Sequence, residues 1–222
     1  MKQYNFIIPY RNRKEHLDKF IECFKNYFEE TDIDAKFYII HQCNSDSFNR
    51  GAMKNIGFLE VSKIRPEGLF IFNDVDVHPT YKGSIDYNTQ SETIRHPVGE
   101  YNHNLGTVCC FWKKEFELVN GFPNYYGWGI EDITIKYRAE NLNIKIDETN
   151  SAGLNSDRCI NVKHYKNLNK ESNEAQENTR LFEEEKQSGT FTNGLSNLQY
   201  EVLTQIDLEP NFTMINVDFK VL

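Results

Sequence analysis

The sequence predicts an α/β domain built on a mixed, mainly parallel sheet. Short, wholly apolar runs alternate with amphipathic helical stretches, and polar clusters recur just beyond the ends of those runs. A length of 222 residues with 14% aromatic content suits one core, hence a single domain over residues 1–222.

Phe6-Ile7-Ile8 reads as the first strand, closed by Pro9. Leu17, Phe20, Ile21, Phe24 and Phe28 then recur at helical steps with Lys and Glu between them. Lys36 to Ile40 is a second buried strand, and Phe48 to Val61 a second helix with Ala52, Ile56, Phe58 and Leu59 apolar. Gly68 to Phe72 is a third strand that runs into Asn73-Asp74-Val75-Asp76. Fully apolar strands joined by helices mark a parallel sheet covered on both faces, with ligands beyond the carboxyl ends of its strands. The polar stretch from Pro79 to Asn104 reads as a long irregular connection. Val108 to Trp112 is a strand, Lys113 to Val119 a short helix, and Glu131 to Glu140 a helix with acids in its first turn. A short β-like run ends at His164, Glu171 to Lys186 is a polar helix, and the alternating tail from Leu195 reads as strands.

A formal charge of −8 excludes a general binder of phosphodiester backbones, so no nucleic-acid partner is expected. No stretch approaches the roughly 20 apolar residues of a membrane span, and the first residues are too short an apolar run for a signal peptide. Five cysteines without CxxC spacing argue against a disulfide framework or a cysteine zinc site. A cytoplasmic location with reduced thiols is the expectation.

Four constellations carry chemistry. Asp74 and Asp76 follow an apolar strand, where alternation would point both carboxylates to one side, and such hard oxygens suit Mg²⁺ or Mn²⁺ on a diphosphate. In Pro9-Tyr10-Arg11-Asn12-Arg13 two guanidinium groups can fork onto phosphate oxygens while the tyrosine flanks a base. Phe48-Asn49-Arg50 repeats the aromatic-plus-guanidinium pairing one βα unit later, completing a nucleotide cradle. In Gly127-Trp128-Gly129-Ile130-Glu131-Asp132 the glycines leave the indole exposed as a platform for a sugar, and an ionised carboxylate at the helix start can accept a hydroxyl proton. His164, or His78 two residues after Asp76, offers nitrogen to a mixed metal site.

Taken in order, these motifs, with Asn120-Gly121-Phe122-Pro123-Asn124, Asn193-Gly194-Leu195-Ser196-Asn197-Leu198 and Ile215-Asn216-Val217-Asp218, resemble the β-1,4-galactosyltransferase family. The resemblance covers nearly the whole chain. It implies a GT-A fold, a Rossmann-like nucleotide-diphospho-sugar transferase domain, and inverting transfer from a UDP-sugar with Mn²⁺. Pro9, Tyr10, Arg11, Arg13, Phe48 and Arg50 are then UDP contacts, Asp74, Val75 and Asn104 donor contacts, and Asp76 and His164 the metal ligands. Trp128 lies between donor and acceptor, Glu131 holds the sugar, and Asp132 deprotonates the acceptor hydroxyl, with Tyr101 and Arg180 on the acceptor side. Residues 1–78 become the nucleotide-binding half and 79–222 the acceptor-binding half.

Three departures qualify what is implied. Asn161 stands where the family commonly has methionine, so Mg²⁺ should compete better with Mn²⁺. Ile133 and Thr134 replace acids that help hold N-acetylglucosamine, which leaves GlcNAc-, Glc- and xylose-terminated acceptors open. Asn104 falls where galactose-specific members have a tyrosine, leaving room for an N-acetyl group, so UDP-Gal and UDP-GalNAc are both candidate donors. The alternative these departures raise is a non-catalytic, saccharide-binding descendant.

Overall fold

β1 (Lys2–Tyr10) and β2 (Ile33–Gln42) pair in parallel with Phe6 opposite Phe37, as two apolar runs joined by a helix require. The computed structural model describes residues 1–99, 103–162 and 172–222. Between the two strands α1 (Lys14–Phe24) buries Leu17, Phe20 and Phe24 on one face of the sheet. Phe28, expected on this helix, packs from the turns beyond its end. α2 (Arg50–Ser62) covers the other face. It starts at Arg50 rather than Phe48 because Asn49 caps it, its Oδ1 accepting the Ala52 N–H at 2.8 Å. The Asn49 N–H in turn donates to Gln42 Oε1 at 2.9 Å, which fixes the helix start to the end of β2.

β3 (Leu69–Asn73) lies parallel on the far side of β1. The chain continues through β4 (Val77–Pro79), β5 (Thr93–Val98), β6 (Val108–Phe111), α3 (Lys113–Leu118), α4 (Glu131–Asn141), β7 (Lys145–Asp147) and β8 (Cys159–Asn161). It ends with α5 (Asn173–Ser188), a 3-10 turn, and the hairpin β9 (Leu198–Glu209) and β10 (Phe212–Val221). The main sheet runs β7-β5-β6-β3-β1-β2-β10-β9, while β4 and β8 pair separately. Its centre, β3-β1-β2-β10, is parallel; β6 and β9 join antiparallel. The mixed, mainly parallel sheet is therefore the one expected.

Alternation along the central strands serves two cores. Phe6 and Ile8 face α1, while Ile7 packs with Ile56, Phe58, Phe72, Phe116 and Phe122. Register lines up a ladder of rings across three strands, Phe6–Phe37 at 4.6 Å and Phe37–Phe212 at 4.4 Å between centroids. Such pairs stabilise by about 0.5–1.5 kcal/mol each beyond their buried area.

The stretch from Pro79 to Asn104 is not the irregular connection expected, since β5 lies within it. Its pattern was hidden by Arg95 and His96, which are buried but satisfied. Arg95 donates to the Asp86 and Asp147 carbonyls, and His96 bonds Gly106 and Glu148. Among the described residues no helix is long and apolar enough to cross a membrane.

Candidate active site

Arg50 and Lys54 stand one turn apart on α2 and face three carboxylates. Arg50 Nη1 lies 2.9 Å from Glu131 Oε1, 3.8 Å from Asp74 Oδ2 and 3.7 Å from Asp132 Oδ2. Lys54 Nζ lies 3.9 Å from Asp74 Oδ1 and 3.8 Å from Asp132 Oδ1. Each aspartate thus turns one oxygen to each cation. Three anions against two cations leave one negative charge in surplus, sheltered from water. Burial, and then the Glu131 charge, push the Asp132 carboxyl up to about 6, while Lys54 and Arg50 pull the other way. Such a group is still ionised at neutral pH yet more basic than an ordinary aspartate, as proton abstraction from a hydroxyl requires.

Two copies of one short pattern hold this cluster in place. Asn120-Gly121-Phe122-Pro123-Asn124 and Asn193-Gly194-Leu195-Ser196-Asn197 interlock. The Asn124 N–H donates to Asn193 Oδ1 at 2.8 Å, and Asn124 Nδ2 donates to the Gly194 carbonyl at 2.7 Å and Asn197 Oδ1 at 2.9 Å. In return the Leu195 N–H donates to the Asn120 carbonyl at 2.9 Å. Asn55 ties α2 to the same loop, accepting the Phe122 N–H at 2.9 Å and donating to the Phe122 carbonyl at 2.7 Å. Contact is so close that a Cβ on Gly51 would stand 2.0 Å from the Pro123 carbonyl oxygen. Arg138, fully buried on α4, forks onto Glu185 of α5 and donates to the Gly121 carbonyl at 2.9 Å. α2, α4 and α5 are thereby fastened to one loop, and the cations of α2 meet the acids of α4 in a fixed geometry.

On the nucleotide side β3 stops at Asn73, and the Val77 N–H closes a turn on the Asp74 carbonyl at 3.1 Å. The expected alternation of Asp74 and Asp76 along a strand is therefore replaced by a turn that sends them to different partners. Asp74 faces Arg50 and Lys54, whereas Asp76 Oδ2 accepts from Arg13 Nη1 at 2.9 Å. Arg11 and Arg13 likewise diverge around Asn12, whose φ is 53°. Arg11 lies 5.4 Å over the Phe48 ring and donates to the Asp46 carbonyl. Pro9, Tyr10 and Val75 are buried, so they shape the cradle from beneath; Tyr10 packs edge-on against His41 rather than offering an open face. The Phe48 carbonyl accepts the Gly127 N–H at 3.0 Å, which joins the cradle to the half-buried Trp128. The flanking φ values of 75° at Gly127 and 114° at Gly129 are ones that favour glycine.

Asp76 also anchors the segment expected to bring the second metal ligand. Its carbonyl accepts the Val162 N–H at 2.8 Å, and β4 pairs with β8. The strand leading to His164 thus runs beside Asp76, although His164 itself, like Tyr101, lies outside the described residues. Among the described residues no group of three or more His, Cys, Asp or Glu side chains is arranged to hold a metal ion. A single hard carboxylate at a strand end still fits Mn²⁺ or Mg²⁺, cations that take much of their shell from substrate phosphates. His78, the other nitrogen considered, is buried where β4 packs on α1, and burial pushes its ring pKa down. Asn161 sits in β8 opposite Val77.

Among the acceptor-side expectations, Asn104 and Asp132 flank Gly106, with Asn104 Oδ1 accepting the Gly106 N–H at 3.1 Å. Thr134 turns its hydroxyl back to the Ile130 carbonyl at 2.8 Å, and Ile133 is half-buried. Arg180 is not brought to this cluster in the described structure. It is half-exposed on α5 and engages Glu177 and Glu184, because its spacing from them on one helix favours local pairs. Lys54, Asn55 and Arg138 escaped sequence reasoning, as did the bonding between the two asparagine motifs. The recurrence of Asn-Gly-x-x-Asn, and a lysine four residues after Arg50 among the apolar positions of α2, were the available signals.

The family model described as the N-terminal region of glycosyl transferase group 7 matches residues 1–88. A second, described as the N-terminal domain of galactosyltransferase, matches residues 91–166. The chain is 31% identical to β-1,4-galactosyltransferase 4 of Cricetulus griseus over 96% of its own length and 62% of that protein. It is 32% identical to β-1,4-galactosyltransferase 1 of Mus musculus over 96% of its length and 53% of that protein. It therefore spans only about half to three fifths of these curated relatives. The catalytic-domain fold is shared with a Drosophila β-1,4-galactosyltransferase 7 mutant crystallised with manganese, UDP-Gal and xylobiose, at a TM-score of 0.83 and 19% identity over 100% of this chain and 96% of that one.

Proposed function

We propose that this chain, which belongs to the glycosyltransferase group 7 family, is a metal-dependent inverting transferase moving galactose or N-acetylgalactosamine from UDP to a saccharide hydroxyl, with a β-1,4 linkage as product. The observation that carries the reading is Asp132, a carboxylate raised to about 6 at the start of α4 and joined through Arg50 and Lys54 to Asp74 beyond β3. The manganese, UDP-Gal and xylobiose of the Drosophila enzyme support the choice of metal, donor and acceptor class.

In this reading residues 1–78 hold the nucleotide and residues 79–222 the acceptor. Arg11, Phe48 and Arg13 line the UDP side, and Asp74 meets the donor sugar or ribose beside Arg50. Asp76 and His164 would hold Mn²⁺ or Mg²⁺, which would supply positive charge to the diphosphate leaving group. Trp128 supplies the apolar face between the two sugars and Glu131, fixed by Arg50, holds the sugar. Asp132 takes the proton from the acceptor O–H as the oxygen's electron pair forms the bond to C1 of the donor. The C1–O bond to UDP breaks with its electron pair going to the diphosphate, and the anomeric centre inverts. Asn104, smaller than a tyrosine and directly beside Gly106, supports UDP-GalNAc as a donor besides UDP-Gal. The cytoplasm remains the proposed compartment.

The test is a screen of UDP-Gal, UDP-GalNAc and UDP-Glc with Mn²⁺ or Mg²⁺ against GlcNAc-, Glc- and xylose-terminated acceptors, reading UDP release and glycan product. Acceptor-dependent release with Gal or GalNAc is expected. Saccharide binding without turnover of any donor would point instead to a non-catalytic descendant.

A further inference from the structure

We propose that Lys54 is a positioning residue for Asp132, a buried cation that keeps the base ionised and fixes its distance from Asp74. The inference rests on the role proposed above for Asp132. Lys54 is fully buried in the middle of α2, its ammonium 4.4 Å from the Phe122 ring centroid. It makes no hydrogen bond, and neither do the two oxygens nearest it, Asp74 Oδ1 and Asp132 Oδ1. It caps no helix and closes no turn. For stability alone, a methionine or leucine at such a position serves as well as a charge or better. What the lysine adds acts through space, between an acid at the end of β3 and one at the start of α4.

The surroundings agree. Burial by itself would lower the Lys54 pKa, but Asp74 and then Asp132 outweigh it and hold the ammonium protonated. The charged groups facing Asp132 are Glu131 on its own helix, Arg50 and Lys54 from α2, and Asp74 from beyond β3. Cys109 of β6 also lies near, its thiol pushed up to about 12 by burial and therefore neutral. Removing Lys54 leaves Arg50 alone against three carboxylates and takes away one of the two cations that favour the ionised form of Asp132.

The experiment compares the full chain with Lys54→Met, which keeps the chain length, in UDP release from UDP-Gal with Mn²⁺ between pH 5.5 and 9. The acid limb should move up by about one pH unit, a roughly 3-fold loss of turnover near pH 6.5 that approaches 10-fold at pH 5.5 and recovers at pH 9, with donor KM little changed. Loss of equal size at every pH, or no loss, overturns the proposal. A readout independent of turnover is thermal unfolding at pH 8 of the parent, Lys54→Met, Asp132→Asn and the double variant. Asp132→Asn should raise the melting temperature more in the Lys54→Met background than in the parent; equal gains overturn the coupling. A parent that turns over no UDP-sugar defeats the function proposed above, while this cycle still decides the role of Lys54.

Discussion

A methyl group on Gly106 would stand 2.7 Å from Asp132 Oδ2 and 3.2 Å from Asn104 Oδ1. The loop before β6 is pressed onto that carboxylate, and other contacts keep it there. The Leu105 N–H donates to the Asp132 carbonyl at 3.0 Å, and His96 Nε2 donates to the Gly106 carbonyl at 3.0 Å. Gly106→Ala should therefore displace the Asp132 carboxylate while the fold survives. Steady-state kinetics should show turnover down on the order of 100-fold, with UDP affinity nearly unchanged. Retention of the parental rate would mean that the carboxylate's position is not critical.

Asp132→Asn should abolish transfer and at the same time stabilise the protein. Folding raises this carboxyl from 3.8 to about 6, so the folded state binds the proton more tightly than the unfolded state does. Stability is then lost as pH rises from about 4 through about 6, and the full cost, up to about 3 kcal/mol, is present above that. Asparagine, uncharged, leaves two cations against two anions. The variant should melt several degrees higher than the parent at pH 8 and no higher at pH 4. An unchanged difference across that range would mean that folding does not raise the proton affinity of Asp132.

Asp76→Ala should remove the dependence of UDP binding on Mn²⁺ and leave Arg13 without its carboxylate partner at 2.9 Å. Calorimetry of UDP with and without Mn²⁺ checks this, and identical Mn²⁺ dependence in the variant would rule out Asp76 as a ligand.

Asn124→Ala should be among the costlier single changes outside the carboxylate cluster. It deletes an amide that donates to the Gly194 carbonyl and to Asn197, and accepts from Asn55 at 2.9 Å. Leaving such buried partners unpaired costs about 1–3 kcal/mol, a fall of roughly 2–10 °C in melting temperature. Calorimetric melting measures it.

Ile130 precedes α4 with φ at 59°, a left-handed conformation that a β-branched side chain resists. Relief of that strain, about 1–2 kcal/mol, offsets the half-buried side chain that Ile130→Gly would remove. The variant should melt no lower than the parent, and a drop of more than a few degrees would show that the side chain's packing dominates.

Where a residue's role follows from its neighbours in sequence, it was legible. The runs around Phe6, Phe37 and Phe70 are apolar through and through, so a parallel sheet covered on both faces was the only way to bury them. Asn49 before α2 and the acids at the start of α4 are local signals too. Asp74 and Asp76 illustrate the limit. Their separation by one residue suggested a shared side, but a turn after Asn73 sends one to Arg50 and the other to Arg13. Arg180 pairs locally instead, with two glutamates on its own helix. β5 was missed because Arg95 and His96 are polar residues paid for by partners distant in sequence.

The sequence by itself determined the α/β class, the positions of its principal helices and strands, and the residue types gathered beyond the strand ends. Period and apolar content are properties of short windows and need no partner to be read. Only the tertiary structure decided how charge is distributed over that site: that Lys54 and Arg50 share Asp74 and Asp132, that Glu131 presses on its neighbour, and that burial raises the pKa of Asp132. A carboxylate's proton affinity depends on burial and on charges within a few ångströms, and apart from Glu131 those charges come here from α2 and the end of β3, more than fifty residues away along the chain.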